Sequence, residues 1–188
     1  NMGKMFFECG GLTTLDVSKL NTSSVTNMND MFRGCSGLAI IDVSNFNTDN
    51  VTSMSGMFWN CKGLTTIDIS RFDTSKVTRM DAMFRDCSGL TTLDVSGFDT
   101  RSVTEMYGMF YGCSSLTTLD VSNFNTSQVK LFCGNNAFSD DGIFQNCTSI
   151  ESLDLSNWDT SASVSFTKMF SGCTNLTNLD ISNFNTSN

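Results

Sequence analysis

The chain contains no histidine and no proline among its 188 residues, and its positive charge is thin: eleven Lys and Arg stand against nineteen Asp and Glu. Without histidine, the usual general base and proton shuttle near neutral pH is missing. Without proline, turns fall to Gly, Asn, Asp and Ser. A net charge of -8 and a pI near 4.3 exclude the basic stripe that nucleic-acid binding requires, and argue against docking on anionic membranes. No apolar run approaches the roughly 20 residues that cross a bilayer, and no signal-like segment opens the chain. The length suits one domain with a real core.

What is present is one motif written about seven times. Cys9, Cys35, Cys61, Cys87 and Cys113 are spaced by 26; Cys147 follows after 34 and Cys173 after 26. Asp16, Asp42, Asp68, Asp94, Asp120, Asp154 and Asp180 keep the same beat and the same single insertion. Two residue types sharing one period place the whole of 1–188 in a single domain of 26-residue repeats. The 8-residue insertion lies within about 130–142, from Lys130 to Gly142.

Each repeat has two halves. Leu90-Thr91-Thr92-Leu93-Asp94-Val95-Ser96 alternates apolar and polar residues, as a half-buried strand does, and fits the leucine-rich-repeat template L-x-x-L-x-L. Only aliphatics occupy the equivalent positions elsewhere, such as Leu38, Ile41, Val43 and Leu64, Ile67, Ile69. Val103, Met106, Met109 and Phe110 are spaced as one face of a short helix that ends near Gly112; Asn60, Asp86 and Asn146 at that end position suit a left-handed residue. Between the halves an Asn/Asp column (Asn21, Asn47, Asp73, Asp99, Asn125, Asp159, Asn185) precedes an unbroken Thr column, where short polar side chains accept from free backbone N–H groups. The expected fold is an α/β solenoid: a right-handed leucine-rich-repeat superhelix with a parallel sheet on the concave side and short helices on the convex side. Nearly all the hydrophobic content falls on the apolar positions of the repeat, which leaves little for a second domain or a greasy ligand cavity.

The recurring Met-Phe-x-x-Cys-x-x-Leu-x-x-Leu-Asp-x-Ser-x-Phe-x-Thr block resembles the BspA-type bacterial leucine-rich-repeat surface proteins, in the branch with 26-residue units. The resemblance implies an extracellular, cell-attached protein, adhesive toward host proteins or neighbouring cells. It carries over no ligand-contact residues. The chain opens and closes in mid-repeat with neither cap nor anchor, so a segment of something longer is expected, attached to the surface through regions outside it.

The binding strip expected on the concave face consists of Thr14, Asp16, Ser18, Asp42, Ser44, Thr66, Asp68, Ser70, Thr92, Asp94, Ser96, Thr118, Asp120, Ser122, Asp154, Ser156 and Asp180. Two carboxylates about 5 Å apart in water repel by roughly 0.8 kcal/mol, so an acidic column needs compensation. Three readings stand: Thr and Ser hydroxyls and backbone N–H groups solvate the carboxylates, Ca2+ bridges them, or they recognise a basic partner. The seven column cysteines read as buried thiols packing like small hydrophobes, with no metal spacing. Cys133 stands off the column and is the thiol to test for reactivity. Both Phe columns read as core, whereas Trp59, Tyr107 and Tyr111 read as surface contacts. Lys62, Arg71, Lys76, Arg79, Arg85 and Arg101 read as a solvated surface. In the insertion, Ser139, Asp140 and Asp141 are candidate caps for a helix at Ile143-Phe144, and the loop is either a tolerated bulge or a partner-specific contact. No catalytic motif stands out, so the expectation is a non-enzymatic binding and adhesion module with no cofactor. The alternative is a structural spacer or stalk, with end-to-end self-association through open strand edges.

Overall fold

The computed structural model describes residues 1–134 and 141–187. Each 26-residue repeat makes one coil, and the coils stack so that equivalent residues lie side by side. Parallel bridges join Asn27 to Ser53, Ser53 to Arg79, Arg79 to Glu105 and Glu105 to Leu131. Two short strands, β1 (Ser152–Asp154) and β2 (Asn178–Asp180), pair in parallel with Leu153 opposite Leu179 and Asp154 opposite Asp180. The solenoid expected from the repeat is therefore present.

The division of labour between its sides differs from the expectation. Among the described residues there is no helix, and β1–β2 is the one regular strand pair. The segment with helix-like apolar spacing is built instead from two consecutive turns. Met31 N donates to Met28 O at 3.2 Å and Cys35 N to Phe32 O at 3.0 Å. Asp30 and Gly34 stand third in those turns with φ of 54° and 78°, and in the next coil Gly56 and Asn60 both have φ of 61°. An α-helix would direct each N–H to the carbonyl four residues back. Here the amides of Met28, Asp30, Phe32 and Gly34 donate to Ser53, Ser55, Met57 and Trp59 of the next coil at 3.1, 2.8, 2.9 and 2.7 Å. Alternate amides close turns while the rest tie coil to coil. Two four-residue turns put Met28, Met31, Phe32 and Cys35 inside, the same residues a helical face would select.

On the strand-like side, few bonds cross between coils before β1. Thr65 N reaches Ala39 O at 3.1 Å and Thr91 N reaches Thr65 O at 3.3 Å. The expected sheet is thus reduced to its last two rungs, and the continuous ladder runs down the turn side.

The interior is a set of columns. Phe6, Phe32, Phe58, Phe84, Phe110, Phe144 and Phe170 stack at 5.5–6.1 Å between centroids, with rings within 9° of parallel. Full burial of each such side chain is worth about 1.5–3 kcal/mol. Cys35, Cys61, Cys87, Cys113, Cys147 and Cys173 each donate a thiol proton to the Phe carbonyl of the preceding coil, at 3.0–3.2 Å. No cysteine among the described residues forms a disulfide. The Thr column has a larger role than an N-terminal cap. Thr22 Oγ1 donates to Asn47 O at 2.9 Å and accepts from Asn47 N at 2.7 Å, and Thr74 does the same to Asp99 at 3.0 and 2.8 Å. Thr160 makes both bonds to Asn185, and Thr48, Thr100 and Thr126 donate to the equivalent carbonyls at 2.9–3.0 Å.

The insertion enters between neighbouring repeat positions. Tyr107 and Cys133 are 26 apart, but Gly108 and Gly142 are 34 apart, and an antiparallel bridge joins Cys133 to Gly142 at the loop's base. The cap candidates Ser139 and Asp140 lie outside the described residues. Phe132 takes the Met position of this coil and stacks on Trp158 at 5.1 Å. No helix begins at Ile143; Phe144 instead donates its amide to Met169 O of the next coil at 3.2 Å.

Candidate functional site

The Asp column faces outward along its whole length. Asp16, Asp42, Asp68, Asp94, Asp120, Asp154 and Asp180 are exposed, while the flanking Ile41, Val43, Leu93 and Val95 point into the core. The alternation that reads as a strand does set the faces, even where no ladder forms. Each carboxylate is held by the residue two places on. The amides of Ser18, Ser44, Ser70, Ser96, Ser122, Ser156 and Ser182 donate to the Asp Oδ1 at 2.9–3.0 Å. The hydroxyls of Ser70, Ser122 and Ser156 add second bonds at 2.6–2.7 Å. This is the local Asx turn that short acidic side chains favour.

These bonds decide the electrostatics of the strip. Bonds from the serine two places on hold the carboxyls of Asp16, Asp42, Asp68, Asp94, Asp120 and Asp154 below the usual carboxylate range, the hydroxyl ahead of the amide at Asp68, Asp120 and Asp154. Repulsion from Asp42 on Asp16, and from Asp154 and Asp94 on Asp120, pushes the other way by less. The compensation foreseen from Ser and backbone groups is found. The threonines do not share in it: among the described residues no Thr hydroxyl bonds a column carboxylate. Thr66, Thr92 and Thr118 instead line a hollow of about 560 Å3 with Ile67, Leu93, Leu119, Asp94, Asp120, Asp154 and Ser152. Thr14 is exposed at one end of the strip, in a shallower depression beside Leu15, Asp16 and Ile40. Among the described residues, no three Asp, Glu or Cys side chains converge as a metal cage would require.

Other candidates are placed differently from the sequence reading. Cys133 is fully buried, its thiol 2.9 Å from Ser165 Oγ, because the insertion's base packs against the coil that follows. Trp59 and Tyr111 belong to a column. Phe7, Arg33, Trp59, Arg85 and Tyr111 are successive repeats of one position, alternating aromatic ring and guanidinium. The Arg33 guanidinium lies 5.3 Å from the Phe7 ring and 3.5 Å from Trp59; that of Arg85 lies 4.7 Å from Trp59 and 4.4 Å from Tyr111. These are cation–π distances, and Arg85 also pairs with Asp141 at the insertion. Both arginines are absorbed into the fold rather than lying free on a basic surface. The signal was available, since the positions obey the 26-residue spacing. Tyr107 is half-buried beside Asp81, and burial, then that carboxylate, pushes its hydroxyl up to about 12. Asp81 itself accepts from Ser55 Oγ at 2.6 Å and Arg79 Nε at 3.1 Å. On the remaining surface, Arg101 is exposed and pairs with Asp99 at 2.6 Å.

No curated protein matches the chain. Among solved structures it is similar to the crystal structure of a leucine-rich-repeat protein of T. pallidum, at 23% identity over 93% of this chain and 69% of that one, with a TM-score of 0.55. That likeness supports a leucine-rich-repeat type of solenoid. Among the described residues no helix is long and apolar enough to cross a membrane. The family described as "Mycoplasma protein of unknown function, DUF285" matches residues 1–66, 39–141 and 137–188, and the chain belongs to it.

Proposed function

We propose that this chain is a non-enzymatic protein-binding module of a microbial cell-surface protein of the BspA type, acting outside the cell in adhesion to a host or neighbouring-cell protein. The observation that carries the reading is the Asp column. Its carboxylates are outward, ionised, and fixed in direction by their own Asx turns, so a basic partner meets charges already oriented. The hollow over Ile67, Leu93 and Leu119 adds a partly apolar floor between the acids. The interior and the Arg–aromatic column are both consumed by coil stacking, whereas the Asp face is a repeated polar surface that carries a carboxylate in every coil.

The test uses a synthetic extended peptide with lysine at alternate positions, titrated calorimetrically at low salt. The triple variant Asp68→Asn, Asp94→Asn, Asp120→Asn keeps each Asx turn, because the amide oxygen still accepts from the serine, and removes only charge. Capture should weaken by at least about ten-fold. Because Asp68, Asp94 and Asp120 titrate below the ordinary carboxylate value, capture should hold as pH falls to about 4 and be lost below it. Equal capture by the variant would favour a spacer that holds other modules away from the surface.

A further inference from the structure

The hollow on the Asp face lies wholly among interior coils, those of Thr66, Thr92, Thr118 and Ser152, each with a coil on either side. Its floor is the core showing through. Ile67, Leu93 and Leu119 are 7–8% exposed, whereas Ile69, Val95 and Val121, two places on, are 1–3% exposed. Thr66, Thr92 and Thr118 rise on one side of that floor and Asp94, Asp120 and Asp154 on the other, because the alternation turns both neighbours of each buried aliphatic outward. The charge along the hollow is lopsided. Arg71 offsets the charge of Asp68, while the charges acting on Asp120 are those of Asp94 and Asp154. In the Ser152 coil, Glu151 takes the place that Thr65, Thr91 and Thr117 hold in the others. The Ile67 end is therefore apolar and weakly charged, and the Asp154 end is strongly negative.

Resting on the reading of this face as a protein-binding surface, we infer that the hollow seats an extended segment of the partner in which an aliphatic side chain stands two residues from a lysine. Successive coils are about 5 Å apart, and alternate residues of an extended chain about 6.7 Å. With the aliphatic side chain on Leu93, the lysine two residues on falls between one and two coils further along. That sets its ammonium between Asp120 and Asp154, at the negative end of the hollow. A run of lysines alone would serve the acids but leave the floor in water. An aliphatic side chain covers Leu93 and Leu119 and removes its own apolar surface from water as well. An extended backbone presents the two groups at this spacing without strain, which commits the site to a protein segment. The preference is thus for apolar and basic groups in one order, a narrower demand than positive charge.

Calorimetric titration of the 188-residue chain with two peptides tests this: Lys-Ser-Lys-Ser-Leu-Ser-Lys-Ser-Lys, and the same peptide with serine in place of leucine. Their charges are equal, and the lysines are symmetric about the centre, so either chain direction fits. The leucine peptide should bind at least about five-fold more tightly, as half-burial of its side chain implies. That ratio should survive in about 0.5 M salt while both affinities fall, because screening acts on the lysines alone. The double variant Thr92→Gln, Thr118→Gln keeps the charge and lays amides over the floor; both threonines are exposed, so it should fold. There the ratio should drop toward one. The triple variant Asp68→Asn, Asp94→Asn, Asp120→Asn should weaken both peptides alike and leave the ratio standing. Equal affinity of the two peptides for the wild-type chain would overturn the inference and leave the Asp face a binder of charge only. Binding of neither peptide would overturn the reading of that face as well. A leucine preference retained by the double variant would overturn the hollow as its seat.

Discussion

A thiol in this molecule is a rung of the core rather than a reagent. Burial pushes Cys35 up to about 11 and Cys61 up to about 12, and raises Cys87, Cys113 and Cys147 well above the ordinary thiol value. Each is protonated where it must donate to a Phe carbonyl. With an aromatic thiol-exchange reagent at pH 8, native labelling should be confined to Cys9 and Cys173, the partly exposed thiols of the end coils, and the rest, Cys133 included, should react only on adding urea. Rapid labelling of Cys133 would contradict its packing on Ser165. The pH dependence follows from the same burial. A folded-state value above the unfolded one of about 8.5 means that the unfolded chain releases protons first. The thiols' stabilisation is therefore complete below that value and declines as pH climbs toward 12. The urea midpoint should fall between pH 8 and pH 10.5; a flat midpoint would show that the column ionises as freely folded as unfolded.

Among elements, the turn pair is what the apolar spacing disguised. A helix and two consecutive turns bury the same Met, Met, Phe and Cys, so periodicity alone could not separate them. The left-handed residues could. Asn60, Asp86 and Asn146 sit at the second turn's third position with φ of 61°, 56° and 62°, as their side chains suggested; at the first turn's third position Asp30, Gly56 and Gly108 offered the same sign, with φ of 54°, 61° and 59°, while Ala82, with φ of 54°, did not. A substitution at Ala82, which a helix would place in its interior, distinguishes the two structures. In a left-handed turn with φ of 54°, Ala82→Gly should be neutral or stabilising. In a helix interior it should cost about 0.8–1.0 kcal/mol. Chemical denaturation of the variant against the wild type gives the sign. A destabilised glycine variant would restore the helix.

For the whole molecule, the repeat made the solenoid and its faces legible while hiding which face is laced. Fixed columns of Leu, Phe and Cys dictate stacked coils, and alternation around Asp94 dictates that carboxylates face water. The destination of a backbone amide leaves no trace in side-chain pattern. Leu93-Asp94-Val95 therefore looks like a ladder strand although its inter-coil bonds are sparse, and Met80-Asp81-Ala82 looks helical although its amides cross to the next coil. The consequence is measurable residue by residue. In a stack where each coil touches only its neighbours, stability is shared between adjacent coils and the ends open first. Slow hydrogen exchange should concentrate at Met54, Gly56, Phe58, Met80, Ala82 and Phe84, whose N–H groups donate at 2.9–3.0 Å to carbonyls of the following coil. Protection should fade toward Phe6 at one end and Phe170 at the other. The amides of Asp68 and Asp94 should exchange fast even in the central coils, although Ile67 and Leu93 beside them are buried. Strong protection there, with weak protection at Phe58 and Phe84, would mean that the sheet lies under the carboxylates after all, and the lacing described here would be on the wrong side.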